Sequence, residues 1–169
     1  MAKWIQPQNS PRPDLTLSDL PLNFVSSSAE ETQRFAEQMK PLLKQGSILA
    51  LNGPLGAGKT CFVKGVARAL NVDEEITSAT YTIVSEYEAP LFEGKPASIP
   101  VYHIDAYRLR NEDDFLAIGG EEILSGSGIS LIEWGDRIHS LIPDGSLLVD
   151  ITIQEDENRL IRVYAKEPA

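Results

Sequence analysis

Residues 47–70 read SILALNGPLGAGKTCFVKGVARAL. Ser47 to Leu51 is an almost unbroken apolar run. Gly53 to Thr60, GPLGAGKT, is a glycine, four residues and then Gly58-Lys59-Thr60, the spacing of a phosphate-binding loop. Phe62, Val63, Val66, Ala67 and Leu70 then recur at helical spacing. An apolar run of this kind suits a strand buried on both faces of a parallel sheet. A strand, a glycine-rich loop and a helix in that order place curled backbone N–H groups and the positive end of a helix around an anion. Lys59 adds a point charge for the β- and γ-phosphates. The Thr60 hydroxyl is the expected ligand to Mg²⁺. The segment therefore predicts an α/β phosphate-loop NTPase fold that binds a nucleoside triphosphate.

The rest of the 169 residues is read outward from this loop. The length suits one domain with a full core. Apolar residues at 42% and charged residues at 24% are ordinary for a globular protein. The formal charge is −10 and the sequence pI about 4.6. This balance disfavours a large nucleic-acid footprint, which needs a Lys/Arg face. Cys61 is the only cysteine, so no intrachain disulfide forms and a reducing cytosol is the expected compartment. Its place at a helix start could lower the thiol pKa, but a small packed residue is the reading taken over a redox role. The N-terminus lacks the continuous apolar core of a secretory signal, and no run reaches the length of a membrane span.

Residues 1–21 carry Pro7, Pro11, Pro13 and Pro21 and are read as an extended or disordered arm, with residues 22–169 as a single ATPase domain. Leu22 to Val25 predicts a strand. Ser26 to Ser28 ahead of Glu30 and Glu31 predicts a capped helix start, with Phe35, Met39, Leu42 and Leu43 on one face up to Gly46. Further strands are expected at Val101–Asp105 and Ile129–Ile132. Glu86 to Ser98, with Pro90, Gly94 and Pro96, reads as a loop or hairpin tip. Asn111 followed by Glu112, Asp113 and Asp114 predicts a short capped helix ending at Gly119-Gly120. Leu147–Ile153 and Leu160–Tyr164 read as a hairpin adding an antiparallel edge to a mostly parallel sheet, with helices on both faces.

A triphosphate site also needs an acid for its metal. Glu133 ends ISLIE and Asp105 ends VYHID; each is a carboxylate at the C-terminal end of a strand, the ligand-binding edge of such a sheet. Either acid could instead cap the next helix or pair with Arg108 or Arg137. Thr77 to Thr82 is either a γ-phosphate-sensing switch or a Thr-rich strand entry. His103 is assigned to the strand face opposite Asp105 and to a structural role. Two scattered histidines and one cysteine argue against zinc. There is no guanine-reading NKxD, which favours ATP over GTP. Arg108 and Arg137 are candidate finger arginines that spacing alone does not assign.

Four blocks in order, LNGPLGAGKT, TSATYTIVSEY, VYHIDAYRL and ISLIEWGDRI, resemble the TsaE family of small bacterial ATPases of tRNA threonylcarbamoyladenosine formation. The resemblance runs from about Ser26 to about Val163. It implies a slow ATPase that acts with a TsaD-type carbamoyl-transferring subunit and a TsaB-type partner, and that meets tRNA only through that complex. It implies that Leu55, Gly56, Ala57, Gly58, Lys59 and Thr60 hold the phosphates. Thr60 and Glu133 would hold Mg²⁺ with help from Asp105, and Thr80-Tyr81-Thr82 would form the switch. Trp134 would lie beside the nucleotide, and Ser28 near its base or ribose. Two positions depart from the family pattern. Ala79 stands where the family usually has Pro, freeing the backbone before the switch. Cys61 stands where a second Thr is common, and a thiol is a poorer hard-metal ligand. Two other classes are a small-molecule kinase and a nucleotide-gated binding module without turnover. Asn111 to Ile129 holds no Arg or Lys for a kinase lid.

Overall fold

The computed structural model describes residues 1, 3–5, 12–77, 82–90 and 97–169. In chain order the strands and helices are β1 (Lys3–Trp4), β2 (Leu22–Ser26), α1 (Ala29–Glu37), β3 (Ile48–Asn52), α2 (Lys59–Ala69), β4 (Val84–Pro90), β5 (Ser98–Asp105), α3 (Glu112–Ala117), α4 (Gly120–Ser125), β6 (Ile129–Glu133), β7 (Leu147–Ile153) and β8 (Arg159–Ala165). A kinked 3-10 segment, Gly135–Leu141, follows β6. Among the described residues no helix is long and apolar enough to cross a membrane.

The strands form one sheet in the order β1-β2-β8-β7-β3-β6-β5-β4. β3 is parallel to both β6 and β7, and β5 is parallel to β6. The mixed α/β architecture expected from the loop is present. The C-terminal hairpin, however, is not an edge. β7 joins the parallel centre beside β3, and β8 is covered on its far side by the antiparallel β2. Leu22 and Phe24 of β2 are buried, which is why this short strand closes the hairpin's open side.

β3 is buried at Ile48, Leu49, Ala50 and Leu51, as its unbroken apolar run requires. Leu49 and Leu51 join the cluster containing Phe35 of α1 and Phe62 of α2. Ile48 and Ala50 join the cluster containing Phe115 of α3 and Ile138. Helices therefore cover both faces, and the loop after β3 emerges between two packed layers.

α1 is shorter than its apolar spacing suggests. Ser28 caps it by accepting from the Glu31 N–H at 3.1 Å. It stops at Glu37, and Lys40–Leu42 forms a 3-10 turn because Pro41 lacks the N–H that an α-helix would use. α4 has no counterpart in the sequence reading, which ended the helical stretch at Gly119-Gly120. In the N-terminal stretch, β1 pairs in parallel with β2, and Ile5 and Leu15 are buried in the core. Lys3 reaches Asp19 at 2.7 Å and, through that hydrogen bond, holds its carboxyl down at about 2.

α1 and α2 meet closely above β2 and β3. Phe24 stacks on Phe35 at 4.5 Å, and Phe35 meets Phe62 edge-on at 6.2 Å. Cys61 Sγ lies 3.1 Å from the Ala29 carbonyl, tying the start of α2 to α1. Burial pushes this thiol above its ordinary pKa, so the helix-start effect does not win. At Gly65 an added Cβ would stand 2.4 Å from the Gln33 carbonyl and 2.7 Å from Ala36 Cβ. Two outcomes are expected. Gly65→Ala loses about 1–3 kcal/mol in denaturant unfolding, because overpacking there outweighs the roughly 1 kcal/mol gain in helix propensity; an unchanged midpoint contradicts the close approach. Cys61 reacts with iodoacetamide at neutral pH more slowly than glutathione does, and an equal or faster rate contradicts its half-buried, protonated state.

Candidate functional site

Gly58 ends the phosphate loop with φ 106° and ψ 24°, a left-handed conformation that suits glycine, and α2 begins at the next residue. Lys59 is thereby turned inward and is only 5% exposed. Its Nζ donates to the Gly53 carbonyl at 2.7 Å and the Pro54 carbonyl at 2.8 Å, and sits 3.9 Å from the Trp134 ring centroid. Burial lowers the Lys59 pKa, while Glu133, Asp105 and Asp136 pull it back up. Lys59 is thus held in the loop by carbonyls and an indole face.

The sheet register brings the acids to the same level. Leu51 pairs with Glu133 and Asp105 pairs with Glu133, so both carboxylates leave the C-terminal ends of adjacent parallel strands beside the loop. Glu133 is 4% exposed. Its Oε1 accepts the Thr60 hydroxyl at 2.7 Å, and its Oε2 lies 2.6 Å from His103 Nε2. Asp105 Oδ1 accepts the Tyr107 N–H at 3.1 Å, so it caps the turn after β5. Arg137 donates to the Leu109 carbonyl at 3.1 Å and approaches the Tyr107 ring. Lys59, Thr60, Thr82, Asp105, Glu133 and Trp134 line one cleft of about 460 Å³. Thr60, Glu133 and Asp105 offer hard oxygen donors to it, and Cys61, whose Sγ meets the Ala29 carbonyl, also lines it.

His103 corrects the sequence reading. It lies on the same face of β5 as Asp105, not the opposite one, because side chains two apart share a face. That period was enough to find it.

The turn that sets Trp134, and the residues that hold that turn, were missed. Trp134 has φ 59° and ψ 45°, a left-handed conformation uncommon outside glycine, and it tilts against Tyr107 at 4.9 Å. Asn52 holds this turn: its Oδ1 accepts the Asp136 N–H at 2.8 Å, and its Nδ2 donates to Asp150 at 3.1 Å. Tyr164 donates to the other Asp150 oxygen at 2.9 Å, and burial together with that carboxylate pushes its pKa up to about 12. Nothing in the local pattern of Asn52 signals a partner nearly a hundred residues away.

On the other side of the loop lies a cleft of about 620 Å³. It includes Ser28, Thr32 and Arg159, and it shares Gly56, Gly58 and Cys61 with the first. Arg159 donates to the Gly56 carbonyl at 3.3 Å. Leu55, at the loop tip, is 76% exposed. Thr80, Tyr81 and Ala79 fall outside the described residues; Thr82 lines the first cleft.

Residues 26–161 match the family model described as "Threonylcarbamoyl adenosine biosynthesis protein TsaE". A tRNA threonylcarbamoyladenosine biosynthesis protein TsaE from Treponema pallidum is 42% identical over 142 residues, covering 84% of this chain and 99% of that protein. The Bacillus subtilis protein of the same name is 34% identical over 144 residues, covering 85% of each. The crystal structure of Bacillus subtilis YdiB superposes with a TM-score of 0.64 at 33% identity, covering 86% of this chain and 85% of that one. With the phosphate loop, the paired strand-end acids and the matched span together, the chain belongs to the TsaE family.

Proposed function

We propose that the chain is a Mg²⁺-dependent, slowly hydrolysing ATPase of the cytoplasm that drives or resets the complex forming threonylcarbamoyladenosine beside the anticodon of tRNAs reading codons that begin with A. Its partners in this reading are a TsaD-type carbamoyl-transferring subunit and a TsaB-type protein, with tRNA met only through them. The observation that carries the nucleotide half is the 2.7 Å hydrogen bond from Thr60 to Glu133 at the mouth of the phosphate loop. The tRNA half rests on family membership.

The residues fit the metal. Mg²⁺ favours hard oxygen donors, keeps several waters and is held by one or two carboxylates plus substrate phosphates. Thr60 and Glu133 supply one hydroxyl and one carboxylate at hydrogen-bond distance, with Asp105 in register beside them. Among the described residues no group of three or more His, Cys, Asp or Glu is placed to hold a metal by itself, which suits an ion brought with the phosphates. When bound, Mg²⁺ neutralises charge on the β- and γ-phosphate oxygens.

The chain's own groups then divide the work. The backbone from Leu55 to Thr60 cradles the phosphates. Lys59 exchanges the Gly53 and Pro54 carbonyls for phosphate oxygens, an ionised acceptor and so a stronger one. Gly56 and Gly58 border both clefts, so a triphosphate in the first extends its nucleoside into the second, towards Ser28. Trp134 closes the phosphate side. Both oxygens of Glu133 already accept hydrogen bonds, and Asp105 caps a turn. Glu133 and Asp105 are thus oriented by the chain itself, and slow turnover without partners rests on family membership. Leu55 and Tyr107, 76% and 46% exposed at the cleft rim, suit coverage by a partner. The kinase alternative loses support. Its lid segment forms α3 and α4, whose first turns carry Glu112, Asp113, Asp114, Glu121 and Glu122, a charge that repels phosphate.

Lys59→Ala is expected to weaken ATP binding about ten- to a hundredfold, the loss of a charge-assisted hydrogen bond. Glu133→Ala should keep Mg²⁺-free nucleotide binding and lose turnover. Equal losses of affinity in both variants, with turnover of bound ATP intact, would remove the metal role from Glu133. In a reconstituted assay the purified partner pair should bind the chain and raise its hydrolysis rate. No binding and no change in rate would overturn the role in the complex.

A further inference from the structure

His103 is buried at 2% exposure on β5, two residues before the strand ends at Asp105. Its Nε2 stands 2.6 Å from Glu133 Oε2. With the carboxylate ionised, an unprotonated ring nitrogen at that distance would set two lone pairs against each other. Nε2 therefore carries the proton and donates. Nδ1 is buried without a hydrogen-bond partner among the described residues. A histidine kept only for packing normally satisfies its buried nitrogens. Here one nitrogen is left unsatisfied while the other is aimed at Glu133.

Glu133 shows what that aim achieves. Thr60 occupies one oxygen and His103 the other. A carboxylate has about four acceptor positions, so each oxygen keeps one for the cleft. Two donors on two different oxygens fix the rotation of the carboxylate plane; Thr60 alone would leave it free to swing. The alternative partner shares the cleft, since Lys59 and Glu133 both line it. A carboxylate that turned to Lys59 would leave Thr60 and occupy the cation meant for phosphate.

We infer that His103 is a positioning residue: its Nε2–H locks Glu133 in the orientation that holds a nucleotide-bound divalent cation beside Thr60. The inference rests on the metal–nucleotide reading above. It assigns His103 no contact with nucleotide or metal.

The test is calorimetric titration of the full chain with ADP, with and without Mg²⁺, for wild type, His103→Leu, His103→Gln, Glu133→Gln and the His103→Leu/Glu133→Gln double variant. Partners of metal-holding side chains usually matter about tenfold or more in metal affinity. His103→Leu should therefore lose about tenfold of the affinity that Mg²⁺ adds, with Mg²⁺-free affinity within about twofold of wild type. His103→Gln, whose amide nitrogen reaches the Nε2 position, should recover most of the loss. In the Glu133→Gln background, His103→Leu should add nothing further, because the two residues act as one unit. A full Mg²⁺ gain in His103→Leu, or an equal additional loss in the Glu133→Gln background, would show a packing role and overturn the inference. Should His103→Leu not fold, His103→Gln is compared with the shorter His103→Asn, which cannot reach Glu133; equal Mg²⁺ gains in the two overturn it. A wild-type chain whose ADP affinity ignores Mg²⁺ overturns the parent reading and this inference together, whereas a Mg²⁺-sensitive wild type with an indifferent His103→Leu overturns this inference alone.

Discussion

The cleft depends on the register of three parallel strands. β3 delivers the phosphate loop, β6 ends in Glu133, and β5 ends in Asp105. Parallel strands place their C-terminal ends at one edge, so the loop and both acids must share it. A slip of one residue in β6 would turn Glu133 to the opposite face, away from Thr60. Burial on both faces prevents that slip. Leu131 belongs to the cluster under α1 and α2, and Ile132 to the cluster under α3. The hydrophobic layers thus hold a polar site in place, with Ala57 of the loop in one layer and Trp134 packed against the other.

Much of this was legible in the sequence because it is local. The loop, its helix and the apolar strand ahead of it depend on adjacent residues, and Ser28 and Asn111 cap α1 and α3 as their acidic first turns suggest. Glu133 and Asp105 were found because a carboxylate ending an apolar strand is a short pattern. Asn52, Asp150 and Tyr164 were not, because their network exists only once β7 lies beside β3 and β8 beside β7. The left-handed turn at Trp134 was likewise invisible, since it depends on Gly135 fitting against Ala50, where a Cβ would come within 2.8 Å. His103 was misplaced although its face followed from strand period alone. The hairpin was put at the edge because local pairing says nothing of a strand arriving from residues 22–26.

The charge of the chain is distributed in a way that serves an anionic ligand. Acids crowd the first turns of α1, α3 and α4, where helix dipoles favour them. The start of α2 carries none. That N-terminus is left for the loop's ligand, and Lys59 and Arg159 both turn towards the loop backbone. A strongly acidic protein can therefore keep two cations, Lys59 and Arg159, against its loop, where the field follows the nearest groups more than the net charge.

The place of β8 between β7 and β2 bears on how the molecule is made. β2 reaches its long partner only across the chain between residues 26 and 159, the widest sequence separation of any strand pair in this sheet. Its other neighbour is the two-residue β1. Phe24, on which α1 stacks, sits on the same strand. The strand that supports the floor of the second cleft is therefore seated by the least local pairing, and pairings of that kind slow folding most.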